Sequence, residues 1–503
     1  MFKSDLAHTN SKLNPWLVGF FAGAYPMLFY AGNNYSLVNS WGHFWFFIGF
    51  FLILPMLVAK VTGEVIQRFF GVHWRSFWLA FFGIGWFLYC LKATLLEAPH
   101  RKITLGIIIF ALVYAYFFKK YHRKIMMLQG IVAFLALVPL SGQIYGNLTL
   151  SEDWKKLPDQ IDQVALLQKP NIYLLQPDGL VNFSELSRGH YKYRDSSFRQ
   201  YLNHNGFTHY DNFRSNYAST LSSNSALLMM KHHYYNHGNS FSEALDARES
   251  IVSENHVLNV LSNNGYQTHL ISVAPYLTVN HPELGFDTAN FSPKEIGYLS
   301  QGFNKRASVI DDLRERLDLW QNGDPENSEG QMTDAPQFYF IEYFNPGHIH
   351  GRKEMSLGVA GERDLWLESM ERGQQTTKAL IELITQRDPG ALILILADHG
   401  GFVGFEYTNQ IYTKTQDRDL IYSIFSSQLS IKWPDDLMPE ESIDFTTSVN
   451  VFRLLFAHLS QNKSFKDFLE PDNSFVILKD NGFKGVYQYI DAQGQIDCKK
   501  IEP

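Results

Sequence analysis

Four groups of residues in this chain offer donors for a cation or a place beside an anion, and each stands where an apolar run begins or ends. The clearest is Ala391–Ala397, seven apolar residues in succession, followed by Asp398, His399, Gly400 and Gly401. A run of that length bounded by glycine reads as a central strand of a parallel sheet with helices over both faces. Ligands of such sheets lie beyond the carboxyl ends of the strands. Asp398 and His399 would therefore leave the sheet together and offer the O and N donors that divalent cations accept. Asn171–Asp178 repeats the design, an apolar strand closing on an acid and then Gly179. A strand ending in a plain Asp-Gly turn would look the same, so each stretch alone says little.

The hydroxyl group needs more argument. Ser215–Met230 opens with cap-forming polar residues and runs into an apolar helical face, which places Ser219 or Thr220 at a helix N-terminus. Free N–H groups and the helix dipole favour an anion there, although a plain Ser/Thr cap has the same signature. His348 and His350 follow another strand, in Tyr343–Gly351, and stand at its carboxyl end, where ligands of such sheets lie, although a pair of loop histidines without function would look the same. His232 and His233 read as solvated helix-end histidines; Arg188, Lys192 and Arg194, like Glu362 and Asp364, read as surface charge.

The elements that must position these residues alternate. Helical runs at His256–Asn264, Val309–Trp320 and Arg372–Thr385 precede strand runs at Tyr266–Val273, Gln337–Phe344 and Ala391–Ala397. Such alternation predicts βαβ units, an α/β domain with a largely parallel sheet flanked by helices. Gln321–Pro336 reads as a solvated loop, Leu429–Trp433 as a further strand and Phe445–Leu459 as an amphipathic helix.

The first part of the chain has a different character. Five apolar segments, Trp16–Gly32, Trp41–Ala59, Ser76–Leu96, Ile103–Phe118 and Ile125–Tyr145, are each near the length of a membrane crossing, several with Trp or Tyr at their ends. A five-helix transmembrane domain over 1–146 is expected, then a polar juxtamembrane connector at 147–169 and an extracytoplasmic domain at 170–503. Nine cations, Lys3, Lys12, Lys60, Arg68, Arg75, Lys119, Lys120, Arg123 and Lys124, lie on one side if the N-terminus is inside, against Lys92, Arg101 and Lys102. The positive-inside rule then gives N-in, with the large domain outside a bacterial cytoplasmic membrane. The two cysteines, Cys90 and Cys498, make no disulfide framework. A net charge of −7 argues against a nucleic-acid partner.

An acid closing the first strand, a hydroxyl at a helix start about forty residues later and a late strand ending Ala-Asp-His-Gly together resemble the alkaline phosphatase/sulfatase superfamily. With apolar segments upstream, the chain resembles its membrane-anchored branch, the lipoteichoic acid synthases and lipid A phosphoethanolamine transferases; Asn171–Tyr235 is also similar to bacterial sulfatase-like membrane proteins. The resemblance implies Asp178, Asp398, His399 and Thr220 as ligands of one divalent metal, Zn or Mn with Mg less comfortable, Thr220 as nucleophile, and one of His348 and His350, the sequence leaving open which, as the histidine that contacts the phosphate or protonates the leaving group. Its donor would be a membrane phospholipid and its acceptor an envelope glycan or lipid, with hydrolysis or a non-catalytic lipid-binding role as alternatives. Thr220–Asn224 reads Thr-Leu-Ser-Ser-Asn, without the Cys or Arg of the formylglycine motif, so a sulfatase is not implied. Two departures stand out: Asp178 occupies a position where glutamate is common, and Asp419–Ser423 lacks a histidine that would serve a second metal.

Overall fold

The computed structural model describes residues 13–96, 100–237, 244, 246–299, 305–322, 334–480 and 482–501. It divides into two compact units, one formed by Met1–Thr149 with Val279–His281 and Gly297–Gly302, the other by Leu150–Thr278, Pro282–Ile296 and Phe303–Pro503.

The first unit is helical. Its helices are α1 (Pro15–Asn33), α2 (Trp41–Phe47), α3 (Leu54–Phe70), α4 (Val72–Leu95), α5 (Arg101–Phe118) and α6 (His122–Leu148). Helix α1 starts with Pro15 in its first turn and Asn14 accepting from the Trp16 N–H, a favourable cap. A π-helical stretch, Ile48–Ile53, joins α2 to α3 without a break. Burial here is inverted relative to a water-soluble bundle. Phe110, Phe117, Phe134 and Leu135 are exposed while His43, Arg75, His122 and Gln129 are buried, as when lipid is the solvent.

Three stretches are long and apolar enough to cross a membrane: Trp41–Phe70, Val72–Leu95 and Arg101–Leu148. The last has 48 residues, roughly 70 Å at 1.5 Å per residue against a core of about 30 Å. It is interrupted by a 3₁₀ turn at Lys119–Tyr121. Length and composition thus single out three stretches and do not establish the expected five crossings.

The second unit is an α/β domain. Strands β1 (Ile172–Pro177), β2 (Phe207–His209), β3 (Gln267–Ser272), β4 (Thr288–Ala289), β5 (Gln337–Tyr343), β6 (Leu392–Leu396) and β7 (Leu429–Lys432) form one sheet in the order β2-β7-β6-β1-β5-β3-β4. Strands β6, β1, β5, β3 and β4 are mutually parallel, whereas β7 pairs antiparallel with both β6 and β2. A second, antiparallel sheet, absent from the sequence reading, is made by β8 (Ser474–Asp480), β9 (Phe483–Ile490) and β10 (Ile496–Lys500).

Alternation along the central strands fills two cores. Ile172, Leu174, Phe338, Phe340, Leu392 and Leu394 face one layer, with helices α7 (Thr220–Met229), α8 (His256–Asn263) and α12 (Val451–Leu459). Tyr173, Leu175, Tyr339, Ile341, Ile393 and Ile395 face the other, with α9 (Val309–Asn322), α10 (Gly358–Arg387) and α11 (Arg418–Phe425). Central strands buried on both faces explain the unbroken apolar runs. Helix α12 is shorter than the Phe445–Leu459 reading and is preceded by a 3₁₀ turn. The polar pairs of 147–169 conceal a packed segment, since Ile161, Val164 and Leu166 lie in the first core. Of the expected loop Gln321–Pro336, residues 323–333 lie outside the described residues.

Candidate metal centre

Register brings the acids together. Ile172 pairs with Leu392 and Leu175 with Ile395, so continuing both strands by three residues sets Asp178 opposite Asp398. The turn after β1 locks this arrangement. Gly179 donates its N–H to Asp398 Oδ1 at 3.0 Å, the Asp178 N–H donates to Tyr343 O, and Gly347 N–H donates to Asp178 O. Gly179 has φ +69°, and a Cβ there would lie 2.1 Å from Gly347 O, so no other residue fits.

Three ligand atoms converge on one point. His399 Nε2 is 3.4 Å from Asp398 Oδ2, 3.6 Å from Asp178 Oδ1 and 3.4 Å from Thr220 Oγ1. His399 Nδ1 donates to Gly400 O at 2.8 Å, which leaves the Nε2 lone pair facing the carboxylates. Asp178 Oδ1 and Asp398 Oδ2 are buried and have no hydrogen-bond partner. Two carboxylate oxygens and an imidazole nitrogen, desolvated and unpartnered, fit a cation. Donors at 2.0–2.1 Å from a tetrahedral ion stand about 3.3–3.4 Å apart, close to the spacing seen. Among the described residues this is the one group of three or more His, Cys, Asp or Glu whose ligand atoms all lie within 4.8 Å of one another. Burial, and then the charge of Asp398, push the Asp178 carboxyl up to about 7, with His399 opposing.

Thr220 is the first residue of α7, and Ser219 is its cap. The Ser219 side chain makes no capping bond, so the plain-cap alternative does not describe this helix start. Helix α7 is tied to β1 by a reciprocal amide pair, Gln176 Nε2 to Asn224 Oδ1 at 2.8 Å and Asn224 Nδ2 to Gln176 Oε1 at 2.7 Å. Asn224 lies one turn beyond Thr220 and Gln176 two residues before Asp178, so this pair sets the hydroxyl beside the acid.

The two loop histidines part company. The His348 ring lies 6.2 Å from that of His399, while His350 Nδ1 and N–H both engage the Glu362 carboxylate. Glu362 is not surface charge as its sequence neighbourhood suggested. It is 1% exposed and also receives the Leu357 N–H, holding the loop that carries His350. His232 and His233 are likewise corrected, because both are buried and structural. His233 stacks on Tyr217 at 4.0 Å and His232 Nδ1 bonds the Tyr217 hydroxyl, fixing the segment that leads into Thr220. Arg188, Lys192 and Arg194 are exposed, as read.

No protein-family model and no curated relative matches the sequence. Among solved structures, the chain is similar to the C-terminal periplasmic domain of EcEptC from Escherichia coli, at 13% identity and a TM-score of 0.42 over 66% of this chain and 97% of that one. Lipoteichoic acid synthase LtaP from Listeria monocytogenes gives 11% identity and 0.42 over 67% and 91%. The integral membrane lipooligosaccharide phosphoethanolamine transferase A from Neisseria meningitidis gives 10% and 0.39 over 90% and 97%.

Two residues of the site escaped the sequence reading. Glu342, on β5, is 1% exposed and neither carboxylate oxygen has a partner. Burial, then Asp178 and Asp398, push its carboxyl well above the usual range. An acid within an otherwise apolar strand was its signal. Phe402 is 2% exposed and has φ +60°, a left-handed backbone costing about 1–2 kcal/mol for a residue with a side chain. Its ring stacks on His399 at 5.0 Å and on His348 at 5.4 Å, contacts worth roughly 0.5–1.5 kcal/mol each, comparable to that cost.

Proposed function

We propose that this chain is a membrane-anchored, metal-dependent phosphotransferase. In this reading it moves a phospholipid-derived head group, phosphoethanolamine or phosphoglycerol, to an envelope glycan or lipid through a phospho-Thr220 intermediate. The observation that carries the proposal is the convergence of Thr220 Oγ1, at a helix N-terminus, with two unpartnered carboxylate oxygens and His399 Nε2.

Asp178, Asp398 and His399 would hold Zn²⁺ or Mn²⁺, with Thr220 at the fourth position. When bound, such an ion lowers the pKa of a neighbouring hydroxyl and neutralises a phosphodiester. Thr220, its hydroxyl proton released to solvent, forms the new bond to phosphorus as the bond to the diacylglycerol oxygen breaks. The amide ends of α7 would face the phosphate oxygens. His348, beside His399, supplies the proton to the departing oxygen. The acceptor hydroxyl then gives its proton to His348 and bonds phosphorus as the bond from Thr220 Oγ1 to phosphorus breaks.

For placement we propose five crossings with the N-terminus inside, the lysine and arginine distribution being the support, and the α/β domain beside the outer leaflet that supplies the donor. The test is chemical. Incubation with phosphatidylethanolamine or phosphatidylglycerol should add the head group to the Thr220 peptide, read by mass spectrometry, and Thr220→Ala should abolish both adduct and turnover. Turnover that survives Thr220→Ala would exclude this mechanism. Lipid profiles of a deletion strain against its parent would identify the head group and acceptor.

A further inference from the structure

We infer that Phe402 is a positioning residue that sets the planes of His399 and His348; this rests on the metal-centre reading above. The two imidazoles make the same bond along the chain, and His348 Nδ1 also lies 3.2 Å from Thr408 Oγ1. His399 Nδ1 lies 2.8 Å from Gly400 O and His348 Nδ1 2.8 Å from Ile349 O, each on the carbonyl of the next residue. Such a bond fixes which nitrogen is free, and it leaves ring tilt to the surroundings. What lies on the ring faces is Phe402, at 19° to His399 and 17° to His348. One phenyl ring therefore packs near-parallel to both imidazoles, whose own planes differ by 33°.

The backbone is bent to deliver it. Phe402 holds φ +60° although a bulky residue avoids that region. The two residues before it have no room for a side chain, since a Cβ on Gly400 would lie 2.2 Å from Ser423 O and one on Gly401 2.0 Å from Trp366 Nε1. Phe402 N–H donates to Ser423 O at 3.1 Å, closing the loop with the ring turned inward. An ordinary core phenylalanine needs none of this, and backbone strain retained beside reactive groups is a mark of function.

The test uses the full chain in detergent, stripped of metal and titrated with Zn²⁺ by calorimetry. Phe402→Leu, which keeps apolar bulk, and Phe402→Gly, which also frees the backbone, should both weaken Zn²⁺ binding about 10- to 100-fold. Each should lower kcat on bis(p-nitrophenyl) phosphate more than it changes KM. Leu380→Ala, in the same core but on α10, should lower the melting temperature while keeping the Zn²⁺ affinity of the wild type. Wild-type Zn²⁺ affinity in Phe402→Leu, or an equal loss in Leu380→Ala, would overturn the inference while leaving the metal centre intact. A wild type that takes up no Zn²⁺ would overturn the metal centre and this inference with it.

Discussion

Gln176 and Asn224 exchange two hydrogen bonds, 2.8 and 2.7 Å long, and so fasten the helix that carries Thr220 to the strand that carries Asp178. Both side chains are buried, Gln176 at 1% exposure and Asn224 at 0%. Removing one amide therefore strands the other. Asn224→Leu should cost about 1–3 kcal/mol of stability, and Gln176→Leu in addition should restore part of it. Urea unfolding of the double-mutant cycle measures this, and turnover should fall in all three variants because Thr220 loses its register with Asp178.

Asp178 gives the centre its pH dependence. Its carboxyl stands at about 7 in the metal-free protein, above the usual value of about 3.9. The folded chain then holds this proton more tightly than the unfolded chain. The resulting stability is full below about pH 4 and is lost as pH rises through about 7. A cation must displace that proton, so Zn²⁺ affinity should fall about tenfold per pH unit below 7 and level off above it. Calorimetry between pH 5.5 and 8 checks the slope, which should shrink in Asp178→Asn together with the affinity.

Glu342 should behave as a stability liability when charged. Its carboxyl is raised by burial and by the two aspartates, so its contribution to stability is present at low pH and is lost as pH rises through its elevated folded value. Glu342→Gln removes the charge that must be desolvated. The metal-free variant should unfold at a higher temperature than wild type at pH 8, by an amount equivalent to at least about 1 kcal/mol. At pH 4 the two should melt together.

His348 and His350 should separate into catalysis and scaffold. His348→Ala removes the ring next to His399 and should lower kcat about 10²-fold with little change in melting temperature. His350→Ala removes a partner of buried Glu362 and should cost about 1 kcal/mol, with a smaller effect on kcat. The comparison needs kcat and thermal unfolding for each variant.

Each candidate ligand in the chain is signalled by its neighbours in sequence. An apolar run closed by Asp178, another closed by Asp398 and His399, and a cap-forming segment before Thr220 are local patterns, because strand burial and helix initiation are written within a few residues. Tertiary structure decided what depends on partners far along the chain. The β1–β6 register set Asp178 opposite Asp398, and the Gln176–Asn224 pair set Thr220 beside them. Ring packing against Phe402 distinguished His348 from His350, and burial turned Glu342, Glu362, His232 and His233 from unremarked or surface residues into working parts of the fold. Hydrophobic periodicity tells a residue which face it occupies; only the packed sheet fixes what stands across from it.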